Sequence, residues 1–250
     1  MLTKSEKNWI KSLQRREERY RQKLFVAEGA KLVGDLLVSK GLRCRMLVAS
    51  VARAGELDPI MHSAEEVRVV DESFLQAISS LKTGGGFLGI FTFPEFDNHE
   101  PPEDYKLALY LDRISDPGNL GTIVRSADWF GLKKIFCSPD CVDPYNAKCV
   151  QASMSSIARV ELAQRDWESM ISLFQGVEIY AADAAGRPYS SIESNRVRIL
   201  CIGSESHGIC DAIRASCTGM ISIPRDKDSK AESLNAAVAA SILLAWKFSS

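Results

Sequence analysis

Histidine is scarce in this 250-residue chain, with three copies, and the seven cysteines include no C-x-x-C pair. Cys137 and Cys141 come closest, four apart, with no histidine clustered beside them. A structural zinc site needs several closely spaced thiolate or imidazole ligands, so this pattern excludes a zinc ribbon or finger. His207 reads as a loop or surface histidine, and the odd number of cysteines as buried, reduced thiols. No apolar run reaches the roughly 18 residues of a bilayer-crossing helix. The N-terminus, MLTKSEKNWIKSLQRREERYRQK, is basic but lacks the apolar core and small-residue cleavage site of a secretory signal. A cytoplasmic protein with no membrane partner is expected. No G-x-x-x-x-G-K-[ST] is present, and no G-x-G-x-x-G opens a helix after the first strand, which counts against a P-loop nucleotide enzyme and a dinucleotide-dependent one.

What is present is an ordinary globular composition, 46% hydrophobic and 25% charged, with a net charge of −1. The charge is unevenly spread. The first 24 residues hold Lys4, Lys7, Lys11, Arg15, Arg16, Arg19, Arg21 and Lys23 against Glu6, Glu17 and Glu18. Such a stretch suits phosphates, and equally a solvated helix face. Trp9, Leu13, Tyr20 and Leu24 fall near helical spacing and predict one amphipathic first helix. A strand, a helix over 30–39, the strand CRMLVAS, a helix over 58–64, the strand VRVVD, the helix ESFLQAISS and the strand FLGIFTF follow. PEFDNHEPPEDY then reads as a surface linker. Beyond it, LALYLDRI, KIFCSPD, VEIYAAD, RILCIG and GMISIP are apolar strands. They alternate with helices, the last of which is SLNAAVAASILLAWKF. The pattern implies a mostly parallel α/β sheet covered on both faces. The expected domains are 1–95, a linker at 96–104, and 105–250.

Three segments place polar or glycine residues at the end of an apolar strand, where open α/β sheets bind ligands. In LDRISDPGNLGTIVRSADWFG, Pro117, Gly118 and Gly121 predict a tight loop holding Asn119, with Arg125 on the helix that follows. Taken alone, Asn119 serves equally as a cap and Arg125 as a surface ion-pair partner. In ILCIGSESHGI, Gly203 ends a strand, where a ligand can approach the backbone closely, and Glu205 lies two residues on. In ISIPRDKDSKAESLNAAVAAS, Ile223 and Pro224 end a strand, and Ser233, Leu234 and Asn235 open the last helix, with Ser233 a candidate N-cap.

These three blocks, in this order over roughly residues 104 to 248, resemble the SpoU (TrmH) family of RNA 2′-O-ribose methyltransferases. Asn119 and Arg125 match its first motif, Gly203 and Glu205 its second, and Ile223, Pro224, Ser233, Leu234 and Asn235 its third. KNWIKSLQRREERYRQKLFVAEGAKLV is similar to the opening of the RNA-binding domain often attached to that family. The resemblance implies a deep trefoil knot in the C-terminal domain, a homodimer and S-adenosylmethionine as cofactor. Gly203, Ile223 and Leu234 then line the cofactor site, largely through backbone contacts. It also implies methylation of a ribose 2′-hydroxyl without a metal, on ribosomal RNA in preference to transfer RNA. The alternative is an RNA-binding relative without activity. A guanidinium keeps its proton at neutral pH, so Arg125 is expected to grip a phosphate and polarise the hydroxyl. Asn119 and Glu205 are then expected to hold the nucleotide or support Arg125, and Ser233 and Asn235 to complete the pocket. Two departures stand out: Arg225 follows Ile-Pro where the family has Met and Gly, and Gly84 to Gly86 replaces a common Pro-Gln.

Overall fold

In the computed structural model, which describes residues 2–56, 60–80, 85–96 and 105–249, the chain builds two sheets, one of four strands and one of six. It divides into two compact units, Met1–Phe96 with Asp143–Arg159, and Asp97–Val142 with Val160–Ser250.

The first unit opens with two helices, α1 (Lys4–Ser12) and α2 (Arg16–Gln22), where hydrophobic spacing predicts one. The break is held by Arg19, whose guanidinium donates to the carbonyl oxygens of Leu13 (2.8 Å) and Gln14 (2.7 Å). Leu24, assigned by spacing to the same helix, instead begins a strand. β1 (Leu24–Glu28), α3 (Ala30–Leu37), β2 (Cys44–Ser50), β3 (Val67–Val70), α4 (Glu72–Gln76) and β4 (Phe87–Thr92) complete this part of the unit. The helix expected over 58–64 is a single 3-10 turn at Met61–Ser63, its start lying outside the described residues. The proposed linker and Gly84 also fall on or beside residues outside those described. The sheet order is β1-β4-β2-β3, with only β2 and β3 parallel. Ile10, Leu13, Met46, Val48, Leu88 and Ile90 are buried in its core.

The second unit begins with β5 (Ala108–Asp112), α5 (Pro117–Trp129) and β6 (Lys134–Cys137). The segment Asp143–Arg159 belongs to the first unit, where α6 (Ala147–Ser153) packs on β1. The helix expected to run from Ala147 to Ile157 turns to 3-10 geometry at Met154, which has a positive φ. β7 (Glu161–Gln164), α7 (Trp167–Ser172), β8 (Glu178–Pro188), β9 (Val197–Gly203), α8 (Asp211–Ser216), β10 (Gly219–Ser222) and α9 (Ala236–Phe248) follow. The sheet is wholly parallel in the order β10-β8-β9-β5-β6-β7. The central strands β5 and β9 read as continuous apolar runs because both faces of the sheet are covered. In their register Asp112 stands beside Gly203, so both chains leave the sheet at one place. None of the seven cysteines forms a disulfide, and five of them are buried.

The basic N-terminal stretch is not uniformly a surface. Arg19 is buried and forms an ion pair with the buried Asp143. The other Asp143 oxygen accepts from the Tyr20 hydroxyl (3.2 Å) and the Tyr145 N–H (3.0 Å). Arg19 is therefore structural, and Arg15 and Arg21 pair with Glu18. Lys4, Lys11 and Lys23 remain exposed. Removing one member of a buried pair strands the other charge. Asp143→Ala is therefore expected to destabilise the first unit by ~3–5 kcal/mol, whereas Arg19→Met combined with Asp143→Leu recovers only part of that loss, because the Leu13 and Gln14 carbonyls and the Tyr145 N–H lose their partners. Denaturant titration of the single and double variants checks both outcomes.

Candidate active site

Helix α5 starts after a short irregular segment, 114–116. Pro117 occupies its first position, where a missing N–H costs nothing and the fixed φ suits the helix. Asp116 is the N-cap and accepts from the Asn119 N–H at 2.9 Å. Asn119 thus sits in the first turn of α5, not in the loop that its glycine neighbours suggest. Arg125 lies six residues on, about 9 Å along the helix at 1.5 Å per residue. It is exposed and has no hydrogen-bond or ion-pair partner among the described residues.

Three predicted residues from three distant segments meet in one hydrogen-bonded triangle. Glu205 Oε1 accepts from Asn119 Nδ2 (3.0 Å), from Asn235 Nδ2 (2.6 Å) and from the Ala236 N–H (3.2 Å). Asn235 Nδ2 also donates to Asn119 Oδ1 at 2.8 Å. Asn235 Oδ1 in turn accepts from the N–H groups of Ala237 (3.0 Å) and Val238 (3.3 Å). Asn235, and not Ser233, is therefore the N-cap, and α9 begins at Ala236. Ser233 is exposed and makes no hydrogen bond among the described residues. A carboxylate at a helix N-terminus is favoured by the helix dipole and by free N–H groups. The triangle also fixes the relative placement of α5 and α9, which run side by side and share a Ser126–Ser241 hydroxyl contact at 2.8 Å.

Gly203 has a reason to be glycine other than room for a ligand. A Cβ there would lie 2.3 Å from the carbonyl carbon of Gly208, because the turn after β9 folds straight back on itself. Gly208 has φ +60°, Ser204 bridges to it, and the Ser204 hydroxyl accepts from the His207 N–H at 3.2 Å. His207 itself is exposed, as expected of a loop histidine. Gly203→Ala is expected to open this turn and destabilise the second unit by about 1–3 kcal/mol, the usual cost of an overpacked contact. A melting curve alongside Gly219→Ala, whose added Cβ comes no closer than 3.3 Å to the Tyr180 and Arg187 side chains, separates the clash from a general glycine effect.

Asp112 and Arg113 belong to the same site and escape motif reasoning. Asp112 is buried and accepts from the Cys210 N–H at 2.7 Å. Arg113 has φ +55°, unusual for a non-glycine residue. Its guanidinium donates to Asp112 (3.2 Å) and to the Gly208 carbonyl (3.4 Å). Together they staple the turn carrying Glu205 to the end of β5. The signal available in sequence is an apolar run, LALYL, ending abruptly in a charged pair.

The third segment frames the neighbouring surface. Ile223 is half-buried, and Leu234 is 46% exposed despite its size. Between them the backbone forms neither helix nor strand, so it is not engaged in a ladder. Arg225, the departure from the family pattern, donates to the Ala231 carbonyl at 3.1 Å and braces the charged loop. Apolar side chains beside irregular backbone at the carboxyl edge of a parallel sheet fit an adenosine-like group.

The model of the SpoU rRNA methylase family matches residues 106–245, and that of an MRM3-like substrate binding domain matches residues 7–89. The chain is 28% identical to the 23S rRNA (guanosine(2553)-2′-O)-methyltransferase RlmP of Bacillus subtilis, over 95% of this chain and 93% of that protein. A Porphyromonas gingivalis structure assigned to the TrmH family of RNA methyltransferases superposes with a TM-score of 0.82 at 35% identity, covering 99% of this chain and 98% of that one. An AdoMet-bound rRNA methyltransferase from Sinorhizobium meliloti does so with a TM-score of 0.83 at 28% identity, covering 98% and 94%.

Proposed function

Because the chain belongs to the SpoU rRNA methylase family, we propose that it transfers a methyl group from S-adenosylmethionine to a ribose 2′-hydroxyl of structured RNA. Ribosomal RNA is the favoured substrate and transfer RNA the second choice. The observation that carries this reading is the Asn119–Glu205–Asn235 triangle, which draws residues of all three motifs together, with Arg125 on the same helix as Asn119. The triangle also argues against an inactive relative, since the altered third motif still delivers Asn235 to Glu205.

The cofactor, when bound, supplies an electrophilic methyl on a sulfonium. Gly203, Ile223 and Leu234 are the residues that would hold it, through backbone groups and apolar surface; the AdoMet-bound neighbour supports that choice of cofactor. The protein's own task is then to bind and orient the nucleophile. Arg125, with no carboxylate partner among the described residues, offers a planar two-pronged donor for a phosphate next to the reacting ribose. With the phosphate gripped, the guanidinium polarises the 2′-hydroxyl, whose proton passes to an oxygen of that phosphate as the methyl arrives. Asn119 holds the ribose while Glu205 and Asn235 fix the Asn119 amide. Ser233 lines the approach. The substrate named for the Bacillus relative supports ribosomal RNA, and the substrate-binding match over residues 7–89 supports an RNA-holding role for an N-terminal domain of residues 1–95 joined by a linker at 96–104.

The same reading includes a deep trefoil knot in the C-terminal domain of residues 105–250, a cytoplasmic location and a homodimer. The strand order β10-β8-β9-β5 supports the knot. The 84% exposed Trp129 on α5 and the 47% exposed Val238 on α9 support an interface on that helix pair. The test is incubation with labelled S-adenosylmethionine and either ribosomal or transfer RNA. Label in ribosomal RNA is expected. Label confined to transfer RNA moves the substrate assignment, and cofactor binding without label in either pool removes the enzymatic reading for these RNAs.

A further inference from the structure

A second polar concavity lies at the other end of the same sheet. The carboxyl ends of β5 and β9 carry the triangle. Residues at their amino ends, the 3-10 turns Tyr189–Ser191 and Ser194–Arg196, and the last turn of α9 line an open cavity of about 820 Å³. The 13 residues of α9 separate the two places by about 20 Å.

Among the described residues the lining carries three cations, Lys106, Arg198 and Lys247, against one carboxylate, Glu193. Lys247 is 9% exposed and donates to the Ser194 carbonyl at 2.7 Å. Arg198 donates to the Tyr105 carbonyl at 3.2 Å. None of the three has a carboxylate within ion-pair distance among the described residues, although a buried ammonium is normally paired. Burial, and to a lesser degree the nearby Arg198, pulls the Lys247 pKa down. The dipole of α9 accounts for a cation in its last turn. It does not account for Lys106 and Arg198, which come from other elements. Trp246 adds an aromatic wall.

We propose that this cavity binds the phosphate of a nucleotide, held by Lys106, Arg198 and Lys247 with Trp246 against the base or sugar. The phosphate can come from a free nucleotide or from an RNA backbone, and in the second case the site is an RNA contact remote from the reacting ribose. The inference stands on these residues and not on the methyl-transfer reading.

The test uses the full chain, titrated calorimetrically with uridine 5′-monophosphate, uridine and a short single-stranded RNA. A pyrimidine is chosen to leave an adenosine-binding site unoccupied. Arg198→Gln, at an exposed position, and Lys247→Met are compared with the unsubstituted chain. A phosphate contact is expected to be worth about tenfold or more in affinity. Uridine monophosphate that binds, uridine that does not, and a tenfold loss in Arg198→Gln assign a free nucleotide. Weakened RNA binding in Arg198→Gln, with the salt dependence reduced by about one phosphate contact, assigns the RNA backbone. Equal affinities for every ligand in Arg198→Gln and the unsubstituted chain overturn the proposal, whatever Lys247→Met does to folding.

Discussion

Arg125→Ala is expected to lower kcat by ~10²–10³-fold, the usual loss when one donor to a developing oxyanion is removed, while leaving the affinity for S-adenosylmethionine unchanged. The expectation follows from where Arg125 stands. It projects from α5 without a hydrogen-bond or ion-pair partner among the described residues, about 9 Å along the helix from Asn119. A guanidinium kept free of carboxylates is available for substrate. Arg125→Lys separates two roles. A lysine retains the charge but loses the planar fork that grips a phosphate with two parallel hydrogen bonds. If bidentate grip matters, Arg125→Lys loses at least about tenfold in kcat/KM, one charge-assisted hydrogen bond's worth. Unchanged turnover in Arg125→Lys contradicts the role given to this side chain. Neither substitution should shift the melting temperature, since the residue is exposed and unpaired.

Glu205→Ala is expected to be nearly as damaging, by about 10²-fold in kcat/KM, through loss of geometry. One Glu205 oxygen accepts three N–H groups, from Asn119, Asn235 and Ala236. Without it, the Asn119 amide loses the partner that orients it, and Asn235 is left to cap α9 alone. The effects within such a network do not add. The double variant Glu205→Ala/Asn235→Ala should therefore be little worse than the poorer single variant, and a fully additive loss would sink the idea that the two act as a unit. Steady-state kinetics of the four proteins of the cycle give the coupling directly. Asn235→Ala should also cost about 1 kcal/mol of stability through the lost cap.

These residues could be picked out in sequence because each follows a buried strand in a parallel sheet, and such strands are conspicuous as continuous apolar runs. β2 spans Cys44–Ser50, the same residues as the apolar run that predicts it. The details that stayed hidden depend on contacts between distant residues. Ser233 and Asn235 are equally good N-caps by residue type, and the choice is made by Glu205, thirty residues upstream. The break between α1 and α2 depends on an arginine turning back to two carbonyl oxygens and on Asp143, 124 residues away. Gly203 signals close approach correctly, but what approaches is Gly208. The membership of Asp143–Arg159 in the first unit has no local signature at all. Asp112 and Arg113 carry no motif, and their role emerges only from the turn they hold.

The central claim is that the methyl group reaches a ribose oxygen and not a base. It is tested most directly by alkaline hydrolysis of RNA labelled by the protein. A 2′-O-methyl group blocks cleavage of the adjoining phosphodiester, because the neighbouring hydroxyl is the nucleophile in that cleavage. Label recovered in alkali-stable dinucleotides, and absent when Arg125→Ala replaces the unsubstituted protein, is the predicted result. Label recovered in mononucleotides would place the methyl on a base and contradict the account.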